Sequence, residues 1–309
     1  MGFRTEQTVS IGDLRRRLGQ VSTEEDYKKR NYIDFFPSTS LTYSINDSNI
    51  LNLSYSRRIT RPTYKNLNPF EWREDALTIL RGNPFLKPTY ADNIELNYVL
   101  NNTTSIAFSY GNSTDIISQI RLEPDTLNAN IFFPENIGNK TVYSLSIASP
   151  IKIERWWNIY ATSTFFTSKL KPTIEENEYN SFRTSHLFNY NINIENTFNI
   201  NEFLSLQVSG YYGKESDGIW IQEPVYFLNL GIKKVFWDSK ASLKLSFNDV
   251  FGTQGYRGRN DVGERIKFSY SYVGEFQTIG LFFAYKFGSS KVKAATSRKR
   301  GDEELSNRL

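Results

Sequence analysis

The sequence predicts an all-β fold, an antiparallel transmembrane β-barrel of about twelve strands in an up-and-down meander. Three observations carry this. Apolar and small polar residues alternate along most segments. The alternating segments are long and flanked by aromatic residues, and the connections between them are short and long by turns.

The alternation is clearest in "ILNLSYSRRI", Ile50 to Ile59, where Leu51, Leu53 and Tyr55 point one way on an extended chain and Asn52, Ser54 and Ser56 the other. It recurs at Leu41, Tyr43 and Ile45; at Ile94, Leu96 and Tyr98; and at Ile106, Phe108 and Tyr110. Further on it marks Tyr143, Leu145 and Ile147; Phe188, Tyr190, Ile192 and Ile194; and Leu204, Leu206 and Val208. The last windows are Leu243, Leu245 and Phe247, then Ile279, Leu281, Phe283, Tyr285 and Phe287. Period two at so many places reads as strand. No amphipathic helix stands out ahead of the C-terminal tail.

A soluble sandwich would alternate in the same way, so length and connection decide. Soluble strands average about five or six residues, whereas a membrane strand needs about 9–11. Ser105–Ile117 and Asn189–Ile200 are of the longer kind, and Trp156, Trp157, Phe165 and Phe166 supply the aromatic girdle of a barrel rim. Short connections fall at Asn46–Asn49, Asn101–Thr103, Ser149–Arg155, Asn199–Glu202 and Trp237–Lys240. Long ones fall at Arg58–Thr89, Gln119–Lys140, Ser168–Ser185 and Gly213–Gly218. Short periplasmic turns and long external loops give this rhythm. The apolar side then faces lipid (Leu51, Leu53, Tyr55, Leu145, Ile147, Leu206, Leu245, Leu281) and the polar side a wet lumen (Asn52, Ser144, Gln207, Lys244, Lys286). Counting from Gly2–Ser10 to Thr278–Phe287 gives an even number, about twelve, with both ends periplasmic. Arg265–Val273 also reads as a strand. Counting it would break parity, so it is assigned to an external excursion.

Composition narrows the function. The 309 residues are 39% hydrophobic and 15% aromatic, with no cysteine, which excludes a disulfide scaffold and a thiolate metal site. The formal charge is +4, but six basic and three acidic residues crowd into 291–309. The body is close to neutral, with no nucleic-acid footprint. No apolar run is long enough for a transmembrane helix, and the N-terminus lacks the apolar core of a signal peptide. His186 is the single histidine, too few for a histidine zinc site or a Ser/His/Asp set. The pairs Glu175-Glu176 and Glu303-Glu304 read as solvated, so no catalytic residue, metal or cofactor is expected.

Candidate ligand contacts lie in two places. The first long loop offers Arg58, Arg61, Tyr64 and Trp72, with guanidinium groups suited to phosphate or other anions. "GYYGKESDGIWIQEP" offers Tyr211, Tyr212 and Trp220, whose rings suit a sugar or siderophore. Each also has a plainer reading. Arg57–Pro62 fits a strand end, since Pro62 has no N–H to continue a ladder. "LNPFEW" and "GNPFLKP" fit a loop folded over the barrel mouth for its own stability. The tyrosines fit a girdle.

The ordered set "YIDFFPSTSLTYSI", "LNLSYSRRITRPTYKNLNPF", "GNPFLKPTYADNIELNY", "LKLSFNDVFGTQ" and "GLFFAYKFG" resembles the outer-membrane β-barrel family of TonB-dependent receptor-like proteins of Bacteroidota. The resemblance covers nearly the whole chain. It implies a barrel of about 22 strands closed by an N-terminal plug, of which this chain matches the C-terminal half. By it, residues 1–288 are partial barrel and 289–309 a charged periplasmic tail, disordered or a short helix. It further implies nutrient uptake at the outer membrane, contacts with lipid and lipopolysaccharide, and an internal signal at Phe287 for the barrel assembly machinery. The TonB system would engage only through a plug that this stretch lacks. The alternative is a stand-alone small outer-membrane barrel, or a binding or structural β protein without transport.

Overall fold

The computed structural model describes residues 1–13, 27–122, 130–173, 184–218, 220–260 and 268–287. In chain order the elements are β1 (Gly2–Asp13), β2 (Tyr27–Asn46), β3 (Asn49–Thr60), α1 (Tyr64–Leu67), β4 (Glu71–Arg73) and β5 (Thr78–Arg81). Then come β6 (Thr89–Leu100), β7 (Thr104–Leu122), β8 (Asn130–Lys152), β9 (Trp157–Pro172), β10 (Ser185–Asn199) and β11 (Leu204–Lys214). The last are β12 (Trp220–Gln222), β13 (Val225–Phe236), β14 (Ala241–Asn248), β15 (Tyr256–Asn260), β16 (Phe268–Tyr272) and β17 (Thr278–Tyr285). The main sheet is a meander, β1-β2-β3-β6-β7-β8-β9-β10-β11-β13-β14-β17, with β4 and β5 attached beside β8. Among the described residues no pairing joins β1 to β17.

Register turns the alternation into two faces, because residues directly opposite in an antiparallel pair share a side. One row runs Leu41, Leu53, Leu96, Phe108, Leu145, Phe165 and Tyr190 across seven strands. Another runs Phe198, Leu206, Ile232, Leu245 and Leu281. These side chains stand out from the sheet, Leu281 being 67% exposed. In water each would cost free energy in proportion to its apolar area; in hydrocarbon the cost vanishes. The other face carries the row Ser40, Ser54, Glu95, Ser109 and Ser144. Its hydroxyls pair across strands, with Ser109 Oγ 2.6 Å from Ser144 Oγ and Ser146 Oγ 3.1 Å from Thr164 Oγ1. Asn52, Ser144, Gln207 and Lys244 fall on this polar face, as the alternation predicts; Lys286 lies just past β17.

The two ends differ in chemistry. The short turns rely on left-handed residues, Asn101 and Asn102 at φ 52° and 54° and Trp237, Asp238 and Ser239 at φ 56°, 50° and 65°. Asn tolerates that region well. Rings collect beside these turns. Trp156, Trp157 and Phe198 stack at 5.7–6.1 Å between centroids, and Trp237 meets Phe283 and Tyr285 edge-on. This is the aromatic girdle of a membrane rim.

The structure corrects several boundaries. Most of Gln119–Lys140, read as a loop, is strand: β7 continues to Leu122 and β8 starts at Asn130. The alternation is broken there by bulges between Ser113 and Ile116 and between Ile116 and Ile117, each of which shifts the faces by one residue. Gly138 completes the irregularity at φ +143°, where a Cβ would meet the Lys171 carbonyl oxygen at 2.1 Å. Ser149–Arg155 is likewise partly strand, with β8 reaching Lys152. The loop Arg58–Thr89 contains a one-turn helix, α1, capped by Thr63, whose hydroxyl accepts the Asn66 N–H at 3.2 Å. The strand within Arg265–Val273 is β16, and it stays off the main sheet, joining β12 and β15 in a small one of its own. The pairs Glu175-Glu176 and Glu303-Glu304 and the tail from Gly288 lie outside the described residues.

The loop between β3 and β6 packs back as a strap. Arg30 of β2 donates to the carbonyls of Leu86 and Pro84. Asn83 Nδ2 donates to the Pro134 carbonyl at 3.2 Å and to Glu135 Oε2 at 2.9 Å, both on β8. β5 pairs in parallel with β8 from Thr78 to Leu80. Gly82 lies against the Asn68 carbonyl, where a Cβ would come within 2.2 Å of the oxygen. The strap therefore ties β2 to β8 across the intervening β3, β6 and β7. This is the self-stabilising reading of the Pro-rich motifs.

β17 ends at Tyr285, two residues short of the predicted Phe287, although one further backbone bond runs from Lys286 N to the Lys240 carbonyl at 2.7 Å. The Phe287 ring sits edge-on to Tyr285 at 4.6 Å and is otherwise exposed. We propose that this exposed ring is the assembly signal. Phe287→Ser is expected to lower outer-membrane insertion severalfold, while deletion of residues 289–309 is tolerated. Membrane fractionation of both variants beside the parent checks this, and the reverse pattern would place the signal in the tail.

Candidate functional site

Residues singled out in the first long loop are held apart by the fold. Arg61 follows β3 and turns toward β1 and β2, with Nη2 2.8 Å from Glu6 Oε2, 2.9 Å from Thr8 Oγ1 and 3.8 Å from Asp34 Oδ2. Asp34 is buried and also accepts the Tyr90 phenol at 2.7 Å. That network spans three strands and uses Arg61 as an internal tie. Neighbouring Arg57 is paired with Asp92 at 3.5 Å. Arg58 is exposed on β3, Tyr64 is 94% exposed on α1, and Trp72 of β4 lies under the Lys65 ammonium at 4.9 Å. Among the described residues no hydrogen bond, ion pair or ring contact joins these four candidates to one another. Sequence reasoning missed Glu6, Asp34 and Tyr90; period-two counting places them on strands and says nothing of cross-strand charge.

The second group is partly brought together. Tyr211 and Tyr212 are adjacent in β11 and therefore point to opposite faces. Tyr212 joins the apolar face beside Tyr190 at 5.3 Å and Tyr226 at 6.5 Å, a loop-side girdle. Tyr211 faces inward, stacked on Phe227 at 5.1 Å. Trp220, in β12, meets Tyr270 of β16 edge-on at 5.3 Å. Beyond β11 the chain is pinned by buried Asn189 of β10, whose side chain imitates a strand: Nδ2 donates to the Ser216 carbonyl at 2.9 Å and Oδ1 accepts the Ser216 N–H at 2.8 Å. Ser216 Oγ in turn accepts the Gln222 N–H at 2.9 Å.

This pinning shapes a pocket of about 470 Å³ lined by Glu215, Asp217, Trp220, Gln222 and Tyr270. Asn191 Nδ2 donates to Glu215 Oε1 at 2.9 Å, and Asp217 Oδ1 accepts the Trp220 N–H at 2.7 Å. Burial first, and then the nearby Asp217 carboxylate, push the Tyr270 phenol above its ordinary pKa, so it keeps its proton through the physiological range. The wall beneath is firm, because Trp220 packs against the buried cluster of Ile120, Ile137 and Leu170. The pocket thus presents two carboxylates, an amide, a phenol and an indole. No group of three or more His, Asp or Glu among the described residues is placed to hold a metal ion.

One apolar and one polar face, ringed strand ends and short turns opposite long loops define the wall of an outer-membrane barrel. The chain belongs to the outer membrane protein beta-barrel family, whose model matches residues 1–285. No curated protein matches it. Among solved structures it is similar to the siderophore receptor PirA from Pseudomonas aeruginosa, at 12% identity and a TM-score of 0.57 over 84% of this chain and 44% of that one. It is also similar to a variant of the ferric enterobactin receptor PfeA from the same organism in complex with enterobactin. That match has 16% identity and a TM-score of 0.51 over 77% of this chain and 38% of that one. The chain therefore spans less than half the length of those receptors, and the likeness is one of fold. Its place is the outer membrane.

Proposed function

We propose that this chain is barrel wall of an outer-membrane receptor for nutrient uptake. Its loop end captures a solute and its polar face lines the route inward. Energy coupling through a TonB system belongs to a plug supplied by another part of the receptor. The observation that carries the reading is the loop-end pocket beside Trp220, at the end of strands whose inner face is lined largely by polar side chains. The siderophore receptors that share the fold support a receptor role in general.

The pocket chemistry points to the class of solute. Carboxylates accept hydrogen bonds from hydroxyls, and the rings of Trp220 and Tyr270 offer apolar surface to a sugar face. An oligosaccharide satisfies both; an anionic iron chelate would be repelled by Glu215 and Asp217. The test is a glycan array probed with the detergent-solubilised chain, followed by calorimetry on the best oligosaccharide and on ferric enterobactin. Trp220→Ala is expected to weaken oligosaccharide binding by roughly tenfold, in line with the loss of one aromatic contact. Binding of ferric enterobactin in place of every glycan would overturn the assignment.

A further inference from the structure

Near the short-turn end of the polar face, Lys233 of β13 and Lys244 of β14 are direct cross-strand partners. Like charges placed opposite one another destabilise a sheet. Some charge on the wall is compensated locally, as at Arg61 with Glu6 and Arg81 with Glu71. Here it is not: both lysines are exposed, and among the described residues neither forms an ion pair. Glu195, an inner-face carboxylate, lies two strands away on β10, opposite Ser209 of β11.

The pair borders a concavity of about 440 Å³ whose lining includes Ser205, Gln207, Gly231, Ser242 and Phe282. Register explains the shape. Ser205, Lys233, Lys244 and Phe282 form one row across four strands, and Gln207 and Gly231 lie in the next. Gly231 leaves the floor open, and the Phe282 ring folds over Gly280, where a Cβ would come within 2.8 Å of it. Phe282 is 61% exposed beside Ser205, Gln207 and Ser242. Two ammonium groups, two hydroxyls, an amide and one ring thus converge on a hollow of small-molecule size.

We infer that this hollow is an inner-face site for a small anionic solute carrying several carboxylate or phosphate oxygens. The ammonium groups neutralise it, Ser205, Ser242 and Gln207 supply hydrogen bonds, and Phe282 covers its carbon skeleton. A bound anion also relieves the repulsion between the lysines. The inference does not rest on the loop-end pocket, which lies at the other end of the strands. Its size favours a solute over an acidic polypeptide, which would need a longer groove.

The experiment is calorimetry in low-salt detergent solution on the folded chain with citrate, inorganic phosphate, neutral sucrose and pentaglutamate. Citrate is expected to bind and to raise the melting temperature of the parent, with sucrose inert. Lys233→Gln combined with Lys244→Gln should weaken citrate binding by roughly tenfold or more, because charge-assisted hydrogen bonds are the strong ones. That variant should melt no lower than the parent without citrate, since a repulsion has been removed. The corresponding double Arg variant should restore binding. Lys169→Gln combined with Lys171→Gln, on β9 at the loop end, should leave it unchanged. Absence of citrate binding, equal loss in the β9 control, or tighter binding of pentaglutamate than of citrate would overturn the inference, the last in favour of a polypeptide in the lumen.

Discussion

Leu230→Arg is expected to destabilise the folded wall by about 2–4 kcal/mol, the cost of a cation on the lipid face near the bilayer midplane. β13 gives the depth. Its outward residues run from Tyr226 at the loop-side girdle to Phe236 at the turn-side girdle, and Leu230 lies between them, opposite Val208 and Phe247. Leu206 is also outward, but it is opposite Phe198, which stacks on Trp156 and Trp157 at the rim. An arginine there reaches the headgroups by extending its stem, so Leu206→Arg is expected to cost only roughly 0–1 kcal/mol. Ser209→Arg, inward at similar height and opposite Asn229, should fall within about 0.5 kcal/mol of the parent. Urea unfolding in lipid vesicles measures all three. Equal costs at Leu230 and Ser209 would mean that the two faces see the same solvent, and the barrel assignment would fail. Spin labels at Leu206 and Gln207 give an independent check, with lipid exposure at the first and water at the second.

Most of this wall was legible because its solvent is different on each side. Lipid demands apolar residues at every second position, and a wet lumen tolerates Ser, Asn and Thr between them, so Leu51, Leu53, Leu145 and Leu281 announce their face without help from neighbours. Legibility fails where that rule is suspended. At Ile116–Gly138 bulges shift the parity, and Ile120 and Ile137 are buried under loop residues on the side that should be polar. The strap is opaque for another reason. Asn83 and Arg30 act through carbonyls far away in sequence, Pro134 in one case and Pro84 and Leu86 in the other. Carbonyls belong to every residue, so they leave no mark in the sequence. Site residues divide in the same way. Trp220 was visible as an aromatic in a loop, but Glu215 and Asp217 become its partners only because Asn189 pins Ser216.

Leu86→Ala is expected to loosen the strap while leaving the main sheet folded. Leu86 is fully buried although it sits in a loop of the barrel wall, and truncating a buried leucine to alanine costs about 2–5 kcal/mol. The strap has few other apolar anchors: Ile79 is buried, but Phe85 and Phe70 are more than half exposed. Its other ties include the β5–β8 ladder and hydrogen bonds from Arg30, Asn83 and Asn136, each bond worth about 0.5–1.5 kcal/mol net. Losing Leu86 therefore removes a share comparable to several of those bonds together. The ladder bonds of β2, β3, β6, β7 and β8 do not pass through Leu86, so the cost should appear as local opening. Amide exchange of Thr78–Lys87 should accelerate by a factor of roughly thirty or more, one factor of ten for each 1.4 kcal/mol. Exchange in the β3–β6 ladder should stay within about threefold, since opening is confined to the loop. Mass-spectrometric exchange on the detergent-folded chain separates the two outcomes. Uniform acceleration through the sheet would show that the strap is part of the wall's global fold. Unchanged exchange in Thr78–Lys87 would show that its polar ties hold it alone.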